Sequence, residues 1–315
     1  MRTRTDLIRL LEASRIAYET LDSGRCWMIV APALAARIMG AGIGEENAFW
    51  VPPVISTRGW NEGGNAGGQR TWIAPEGGIA GFFFSADGAR WDVAPGLDPG
   101  SYRAMPAPAG TILRIRFRHE LGKAGSIPLE RRIGLWSLIQ LPCEEQGVIF
   151  IAGGRAPRLY FGELPAMGTG DAGRVVWLRV RGGTRFKAGM SPSDFARTMG
   201  FARRARVPEN GLTPFILTTM SGDSDPNRAY VDTPASSGHA ASPNGDAAQA
   251  YCDAGTGGLA FCEIESHAPA PFLAPGESEA QDIQISIARL GGQDIADYMS
   301  ERLGMEPLPR SALTA

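Results

Sequence analysis

Short runs of β-forming residues, separated by turn-forming residues, recur from one end of the chain to the other. Patterns typical of helices are few: the N-terminal segment, residues 192–203 and residues 293–303. Closely spaced strands with few helices predict an all-β fold, a sandwich or a barrel, and argue against a doubly wound sheet of alternating strands and helices. The predicted strands are 26–32, 81–85, 111–120, 135–141, 147–153, 158–164, 174–182, 214–220, 259–266 and 281–290.

The run at 111–120 shows the clearest alternation of side chains. Leu113, Ile115 and Phe117 alternate with three arginines. Successive side chains of a strand point to opposite faces, so one face is expected to meet a core. The arginine face is expected to meet water, as in a mostly antiparallel sheet.

A single β domain is expected to occupy residues 25–291. Residues 1–24 are expected to form a helical segment packed on it, and residues 292–315 a short helix and a tail. The polar, turn-rich stretch 232–258 is interpreted as a long loop or a pair of loops, and a surface loop of the same domain is preferred to a linker because strand-like segments of similar character flank it.

The charge balance of the chain limits its partners. The 315 residues include 31 basic and 33 acidic side chains, for a net charge of −2. This balance argues against a nucleic-acid partner and against a membrane partner, and no apolar run reaches the roughly 18 residues of a membrane span. Asp6, Glu12 and Arg15 interrupt what would have to be the core of a signal peptide, so a cytoplasmic protein is expected.

The cysteine pattern predicts no metal site. Cys26, Cys143, Cys252 and Cys262 are scattered along the chain and form no C-x-x-C pair. Free and mostly buried thiols are expected, and no cofactor is predicted.

Two motifs that suggest ligand binding lack the flanking pattern or the residue that such a site requires. GTGDAG at 168–173 matches the dinucleotide fingerprint in letters, but no helix pattern follows it, so a hairpin loop is predicted. Asp223, Asp225 and Asn227 alternate as in a calcium loop. Arg228 stands where an EF-hand needs glycine, which leaves a turn or a calcium site of another kind.

The segment LAFCEIESH carries the sharpest local signal. In a strand, Glu263, Glu265 and His267 share one face, and Cys262 and Ile264 share the other. Two carboxylates and an imidazole then lie within about 14 Å along one strand. Neighbouring like charges raise the pKa of one carboxyl group, which suits general acid–base chemistry. A solvated face at a sheet edge is the alternative.

Few other imidazoles are available to a site. The remaining histidines are His119, which continues the apolar face of its strand, and His239, which lies in the polar stretch 232–258. A buried, hydrogen-bonded role is expected for His119, whereas His239 is free to line a site or to have no role in one.

Residues 59–78 surround a few large polar and aromatic side chains with glycine. In an extended backbone Arg70, Trp72 and Glu76 fall on one side, with Asn61 earlier in the same stretch. An indole can cover the C–H face of a pyranose, charged groups can bind hydroxyls, and glycines let the main chain approach a ligand. The alternative is structural, with Trp72 in the core and Arg70 and Glu76 as a packing ion pair.

The order of several segments is similar to that of the aldose 1-epimerase-like, or galactose mutarotase-like, superfamily, and most similar to an uncharacterised bacterial branch of it. The resemblance covers about residues 25–290, and its segments are APALAARIMGAG, GWNEGGNAGGQRTWIAPEGGIAGFFFS, IGLWSLIQLP, FKAGMSP, FCEIES and FLAPGES. It implies a mostly antiparallel β-supersandwich with a sugar-binding cleft on one concave sheet face.

The resemblance also implies catalytic roles. The glutamate that takes the proton from the anomeric hydroxyl maps to Glu265, with Glu263 as the rival position. The segment where the family's acid histidine should fall holds Leu135 and Trp136. His239 and His267 are therefore the candidate acids, and Trp136 is expected to contact the sugar.

The sequence therefore predicts a carbohydrate-binding protein, and an isomerase of the aldose 1-epimerase type is the first hypothesis. A lyase or glycoside hydrolase on the same scaffold is the second, and a non-catalytic sugar-binding module is the third. The expected partner is a small-molecule carbohydrate, while the sequence leaves its identity and the oligomeric state open.

Overall fold

The structure of the chain is a computed structural model. It describes residues 3–55, 65–76, 113–122, 132–143, 146–181, 183–208, 213–232, 245–253, 260–291 and 294–313, with the backbone alone for 113–122. Asn61, His239 and the predicted strand 81–85 lie outside the described residues, as does the side chain of His119.

Strands dominate the described residues, and every strand pair is antiparallel. In chain order they are β1 (Glu19–Ser23), β2 (Cys26–Ala31), β3 (Arg37–Ile43), β4 (Glu46–Asn47), β5 (Gln69–Ala74), β6 (Leu113–Gly122), β7 (Gly134–Pro142), β8 (Gly147–Gly153), β9 (Arg158–Gly162), β10 (Met167–Thr169), β11 (Val175–Val180), β12 (Phe186–Met190), β13 (Phe195–Arg204), β14 (Phe215–Gly222), β15 (Ala248–Cys252), β16 (Phe261–His267) and β17 (Ser278–Leu290).

The described strands form two sheets. One has ten strands in the order β1-β2-β3-β5-β7-β16-β15-β12-β9, with β4 paired to β3. The other has seven, in the order β10-β11-β8-β13-β14-β17-β6. This arrangement confirms the all-β, mostly antiparallel fold class predicted from the sequence. It also places β16, the strand with two glutamates and a histidine, inside the larger sheet.

The main hydrophobic core lies between the two sheets. The ten-stranded sheet contributes Ile139 and Ile264, and the seven-stranded sheet contributes Ile151, Phe201 and Ile285, all fully or almost fully buried. Because alternate residues of a strand point to opposite faces, the residues next to Ile139 and Ile264 face away from this core.

The N-terminal segment forms the predicted helix, α1 (Arg4–Ala13). Thr3 and Asp6 form a capping box at its start, in which each side chain accepts a hydrogen bond from the other's backbone N–H. Leu7 and Leu11 are buried in a cluster with residues of β2 and β3, including Met39. The helix is therefore held by its apolar stripe against the end of the larger sheet.

The C-terminal segment covers the outer face of the seven-stranded sheet. It contains α2 (Asp294–Asp297), a π-helical turn (Tyr298–Arg302) and α3 (Arg310–Leu313), in agreement with the helix predicted at 293–303. Glu306 fastens it, because its carboxylate accepts hydrogen bonds from the backbone N–H groups of Ala172 and Arg174. Those amides belong to the loop between β10 and β11, so the GTGDAG motif is a hairpin loop, as predicted.

The helix predicted over 192–203 is wrong, because Phe195–Arg204 forms strand β13 between β8 and β14. The register with β8 shifts between Phe195 and Met199, and Arg197 has a φ of 65°. This bulge puts two core residues four positions apart, the spacing that a helix would give.

Three further predictions from the sequence can be compared with the described residues. The stretch 232–258 is not one continuous loop, because it contains strand β15. The four cysteines are free and buried, as predicted. Within the described ranges, no helix combines the length and apolar character of a membrane span.

Candidate functional site

Three adjacent strands of the larger sheet, β5, β7 and β16, bring the predicted site segments together. Trp72 of β5 pairs in register with Trp136 of β7, which pairs with His267 of β16. Two residues before Trp72 on β5, Arg70 lies in the same cross-strand row as Glu265, which is two residues before His267 on β16. The segment around 70–76 and the segment 263–267 therefore share one face of one sheet.

The acidic face of β16 is buried inside the sheet. Glu263, Glu265 and His267 are 6%, 0% and 2% exposed, while Cys262 and Ile264 point into the core between the sheets. The predicted shared face is thus confirmed. The alternative of a solvated edge is wrong, because β7 and β15 flank β16 on both sides.

Glu263 lies between an amide and a guanidinium group. Its Oε1 accepts a 2.8 Å hydrogen bond from Gln140 Nε2 and lies 3.5 Å from Arg70 Nη2. Burial raises the pKa of Glu263, Arg70 offsets part of that rise, and the charge of Glu265 adds to it, which brings the pKa to about 7. Glu263 can therefore give up or take a proton near neutral pH.

Glu265 is fully buried beside two basic groups. Its Oε2 lies 3.4 Å from Lys187 Nζ and 3.8 Å from His267 Nε2, and neither carboxylate oxygen accepts a hydrogen bond from a described residue. Burial alone would raise the pKa of Glu265, but Lys187 and His267 outweigh burial and hold the pKa below its ordinary value. The group is therefore a carboxylate with acceptor capacity to spare.

Lys187 is a central residue of this face that the sequence analysis did not identify. It lies on β12, where its neighbours Phe186 and Ala188 point into the core, so its side chain points to the face of Glu265. The ammonium group forms an ion pair with Glu76 as well and lies 4.8 Å from the ring centre of Trp136. The alternation of FKAGM was the only available signal, and a single lysine in a five-residue strand is a weak one.

His267 lies between two carboxylates. Its Nε2 is 3.9 Å from Asp232 Oδ2 and 3.8 Å from Glu265 Oε2, and its ring stacks on Trp136 with a centroid distance of 5.6 Å and an interplanar angle of 11°. Neither ring nitrogen makes a hydrogen bond to a described residue. The ring is held in place by stacking, with Nε2 near the carboxyl groups of Asp232 and Glu265.

Glu76 lies where the site meets solvent. It follows β5, and its backbone N–H donates a 2.9 Å hydrogen bond to Asp232 Oδ1. The side chain is 25% exposed, whereas that of Lys187 is 5% exposed. Burial raises the pKa of Glu76 in spite of the opposing charge of Lys187.

The two tryptophans and Arg70 form the inner part of the site. The Arg70 guanidinium carbon lies 3.9 Å from the ring centre of Trp72, and the rings of Trp72 and Trp136 meet edge to face at 5.6 Å. All three residues are at most 3% exposed. Among the described contacts, Arg70 pairs with Glu263 and Glu76 pairs with Lys187.

A polar cluster on the edge strand β9 continues this face toward solvent. Arg158, which is 45% exposed, forms an ion pair with the buried Asp246. Tyr160 donates a 2.9 Å hydrogen bond to Asp246 and accepts one of the same length from Gln249, the register partner of Glu265. Hydrogen-bonding groups therefore extend from β16 to the sheet edge.

The arrangement is suited to proton transfer. Glu263 and Glu265 lie two residues apart on one strand face, and their pKa values are shifted in opposite directions. Such a pair supplies a proton donor and a proton acceptor at the same pH. In the residues that the structure describes, no cluster of histidine, cysteine and carboxylate side chains has the geometry of a metal site.

No family model and no curated protein matches the chain. Several solved structures do match it. Similar structures include a candidate aldose 1-epimerase from Escherichia coli K12, at 11% identity and a TM-score of 0.48 over 87% of this chain and 100% of that one. A galactose mutarotase related enzyme from Lactobacillus acidophilus is 6% identical, with a TM-score of 0.45 over 87% and 98%. A candidate mutarotase from Salmonella typhimurium is 11% identical, with a TM-score of 0.38 over 90% and 99%.

At such low identities a likeness concerns the course of the backbone only. The chemistry of this chain therefore rests on its own residues.

Proposed function

We propose that this face of the ten-stranded sheet binds a carbohydrate and interconverts its anomers. The observation that carries the proposal is the pair Glu263 and Glu265, buried side by side with pKa values shifted apart. Mutarotation needs a base at the anomeric hydroxyl and an acid at the ring oxygen, and both oxygens are bonded to the same carbon. Donor and acceptor must therefore lie on the same side of a site, and Glu263 and Glu265 lie two residues apart on one face of β16.

Glu265 is the base in this proposal. Its carboxylate, without a hydrogen bond from the described residues, accepts the proton of the anomeric hydroxyl while the bond from the anomeric carbon to the ring oxygen breaks. A neighbouring acid protonates the ring oxygen, which yields the open-chain aldehyde. After rotation of the carbonyl group the same steps run in reverse, and both protons return to the groups that supplied them.

Two groups can serve as the acid. Glu263 is partly protonated near neutral pH because its pKa is about 7. His267 has Nε2 at 3.8 Å from Glu265 Oε2. The raised pKa of Glu263 makes it our first choice, and it replaces the histidine that the family pattern would place near Trp136.

Arg70, Trp72, Trp136 and Glu76 are proposed to orient the sugar. Glu76, the more exposed of these groups, would meet hydroxyls at the entrance. The stacked Arg70 and Trp72, with Trp136 beside them, would form the inner wall, where an indole can pack against C–H groups. These contacts would fix which ring carbon faces the carboxyl pair.

Exchange NMR on a panel of free aldoses tests this proposal. The protein should speed interconversion of the anomers of at least one sugar, and Glu265→Gln should reduce that rate by about 10²- to 10⁴-fold. Glu263→Gln and His267→Asn identify the acid, and the exposed Glu301→Gln should leave the rate unchanged. If the wild type accelerates exchange for none of the sugars, mutarotation of free sugars is ruled out as the function.

A glycoside hydrolase is the second candidate, since one observation favours it. Glu76 and Glu265 contact the same ammonium nitrogen of Lys187, and hydrolases place two carboxyl groups about the scissile bond. Release of nitrophenol from a panel of nitrophenyl glycosides, abolished in Glu76→Gln, would support it. A lyase on the same groups would instead produce an unsaturated sugar that absorbs in the ultraviolet.

A sugar-binding module without turnover is the third candidate. It predicts a rise in melting temperature with a sugar that is neither isomerised nor cleaved. In that case Glu265→Gln should change the affinity only modestly.

A further inference from the structure

Lys187 has no role in the proton transfers described above, although its ammonium group contacts Glu265, the proposed base. Lys187 is buried, with 4% of its surface exposed. Burial is unfavourable for a cationic side chain unless other groups compensate for the lost contacts with water. The structure supplies those groups, with Glu76 and Glu265 both paired to Nζ.

Aromatic rings complete the surroundings of the ammonium group. Nζ lies 4.8 Å from the ring centre of Trp136 and 5.9 Å from that of Tyr160. A cation within about 6 Å of such a ring is attracted by its π electrons. The rings and carboxylates together hold the ammonium between the entrance residue Glu76 and the buried Glu265.

These neighbours define the charge state of Lys187. Burial lowers the pKa of Lys187, but Glu265, Glu76 and Asp232 outweigh burial and raise it above its ordinary value. An ammonium ion has no lone pair, so the lysine does not act as a base or as an imine-forming nucleophile toward an aldehyde. Its remaining role is that of a fixed positive charge.

We infer that Lys187 is a positioning residue whose ammonium group keeps the carboxylate of Glu265 charged and oriented toward the substrate. This inference rests on the proposed function only in naming Glu265 as the base. Geometry carries it: the Lys187 ammonium lies 3.4 Å from Glu265 Oε2 and is itself buried. His267 lies 3.8 Å from the same oxygen and carries a charge only when it is protonated.

Several titratable groups share these surroundings, and each affects the same carboxylate. They come from every described element packed against Lys187, and a test must separate the effect of Lys187 from theirs. These groups are Glu76 after β5, Tyr160 on β9, Asp232 after β14, Tyr251 on β15, and Glu263, Glu265 and His267 on β16.

Titration of Glu265 itself provides that test without depending on any sugar. The side-chain carboxyl ¹³C signal of Glu265 can be assigned by its loss in Glu265→Gln and followed with pH in labelled protein. In Lys187→Met we expect its midpoint to move up by about 1 to 3 pH units, the usual effect of removing an adjacent opposite charge. In Lys187→Arg, which keeps the charge, the midpoint of Glu265 should stay close to its wild-type value.

A second variant guards against misfolding of Lys187→Met. Glu76→Gln removes the carboxylate that competes for the ammonium group, so the Glu265 midpoint should move down. A midpoint that stays unchanged in Lys187→Met, or that rises in Glu76→Gln, overturns the inference.

Anomer exchange then separates the two proposals. If the wild type exchanges anomers, the acid limb of its pH–rate profile should shift with the midpoint of Glu265 in Lys187→Met and return in Lys187→Arg. If the wild type exchanges no anomers but the midpoints shift as expected, the proposed function fails while the role of Lys187 stands. If exchange occurs and the midpoints do not shift, the inference alone fails.

Discussion

Arg70 and Glu263 form an ion pair across an intervening strand. Arg70 belongs to β5 and Glu263 to β16, with β7 between them in the sheet, yet Nη2 and Oε1 are 3.5 Å apart. Gln140 on β7 donates to the same Oε1. Side chains from three neighbouring strands therefore meet at one carboxylate oxygen. A substitution of Arg70 or Gln140 should change the pKa of Glu263.

Removal of the Arg70 charge should raise the pKa of Glu263. That guanidinium is the main group that opposes the effect of burial, so in Arg70→Met the midpoint should move above 7 by about 1 unit or more. The ¹³C titration of the Glu263 carboxyl group measures the shift. Arg70→Lys keeps the charge and should move the midpoint less, and an equal midpoint in Arg70→Met and wild type would contradict the assignment.

The raised pKa of Glu263 predicts how stability varies with pH. The folded protein holds this proton more tightly than the unfolded chain, with a pKa of about 7 against the ordinary 4.5. The stabilisation is therefore fully present below pH 4.5 and is lost as pH rises through 7, a change of about 3 kcal/mol.

Urea denaturation of Glu263→Gln at several pH values measures this effect. Relative to the variant, the wild type should lose about 3 kcal/mol of unfolding free energy between pH 4.5 and 8. The exposed Glu301→Gln provides the matched control, whose difference from the wild type should stay constant. Parallel pH profiles for Glu263→Gln and wild type would be evidence against a raised pKa.

Lys187→Met should reduce stability more than the loss of a surface ion pair does. It leaves the buried Glu265 without its charge partner, which typically costs about 3 to 5 kcal/mol. The double variant Lys187→Met/Glu265→Gln should recover part of that loss, because no buried charge then remains at that position. Arg228→Met breaks a more exposed pair with Glu279 and should cost about 1 kcal/mol or less. Urea denaturation at neutral pH compares the variants, and a Lys187→Met cost as small as that of Arg228→Met would contradict the prediction.

Gly189 leaves space for a carboxylate of the site. A Cβ at this position would overlap the side chain of Asp246, which Arg158 and Tyr160 hold in place. Gly189→Ala should therefore cost about 1 to 3 kcal/mol of unfolding free energy.

Gly154→Ala is the matched control for Gly189→Ala. Its Cβ would lie 3.5 Å from the oxygen of Gly173, an ordinary contact, so its effect should stay within about 0.5 kcal/mol. Thermal or urea unfolding of both variants gives the comparison. Equal stabilities would show that Asp246 can move aside at little cost.

The sequence predicts local structure well where a strand keeps a strict two-residue period. In β16 that period alone is enough to put Glu263, Glu265 and His267 on one face. It does not show that the face is buried, because burial depends on β7 and β15, which pair with β16 from both sides. Nor does the period show that Arg70 and Gln140 meet at one oxygen, since that contact depends on the order of three strands in the sheet.

Where the two-residue period breaks, prediction from the sequence failed. The bulge in β13 separates Phe195 from Met199 by four positions and imitates a helix. Lys187 was missed for a different reason, since one charged residue in a short strand is normally a solvated one. Only the pairing of β12 with β15 brings it within reach of Glu265.

The position of β16 inside the larger sheet also limits how such a chain can diverge. Both of its edges are hydrogen-bonded, so insertion or deletion of a single residue within the strand would turn its acidic groups toward the core and its apolar groups outward. Such length changes are therefore expected to be eliminated here, while substitutions at 263, 265 and 267 remain open. Related chains with different chemistry should accordingly keep the length of this strand and vary only the identity of alternate residues.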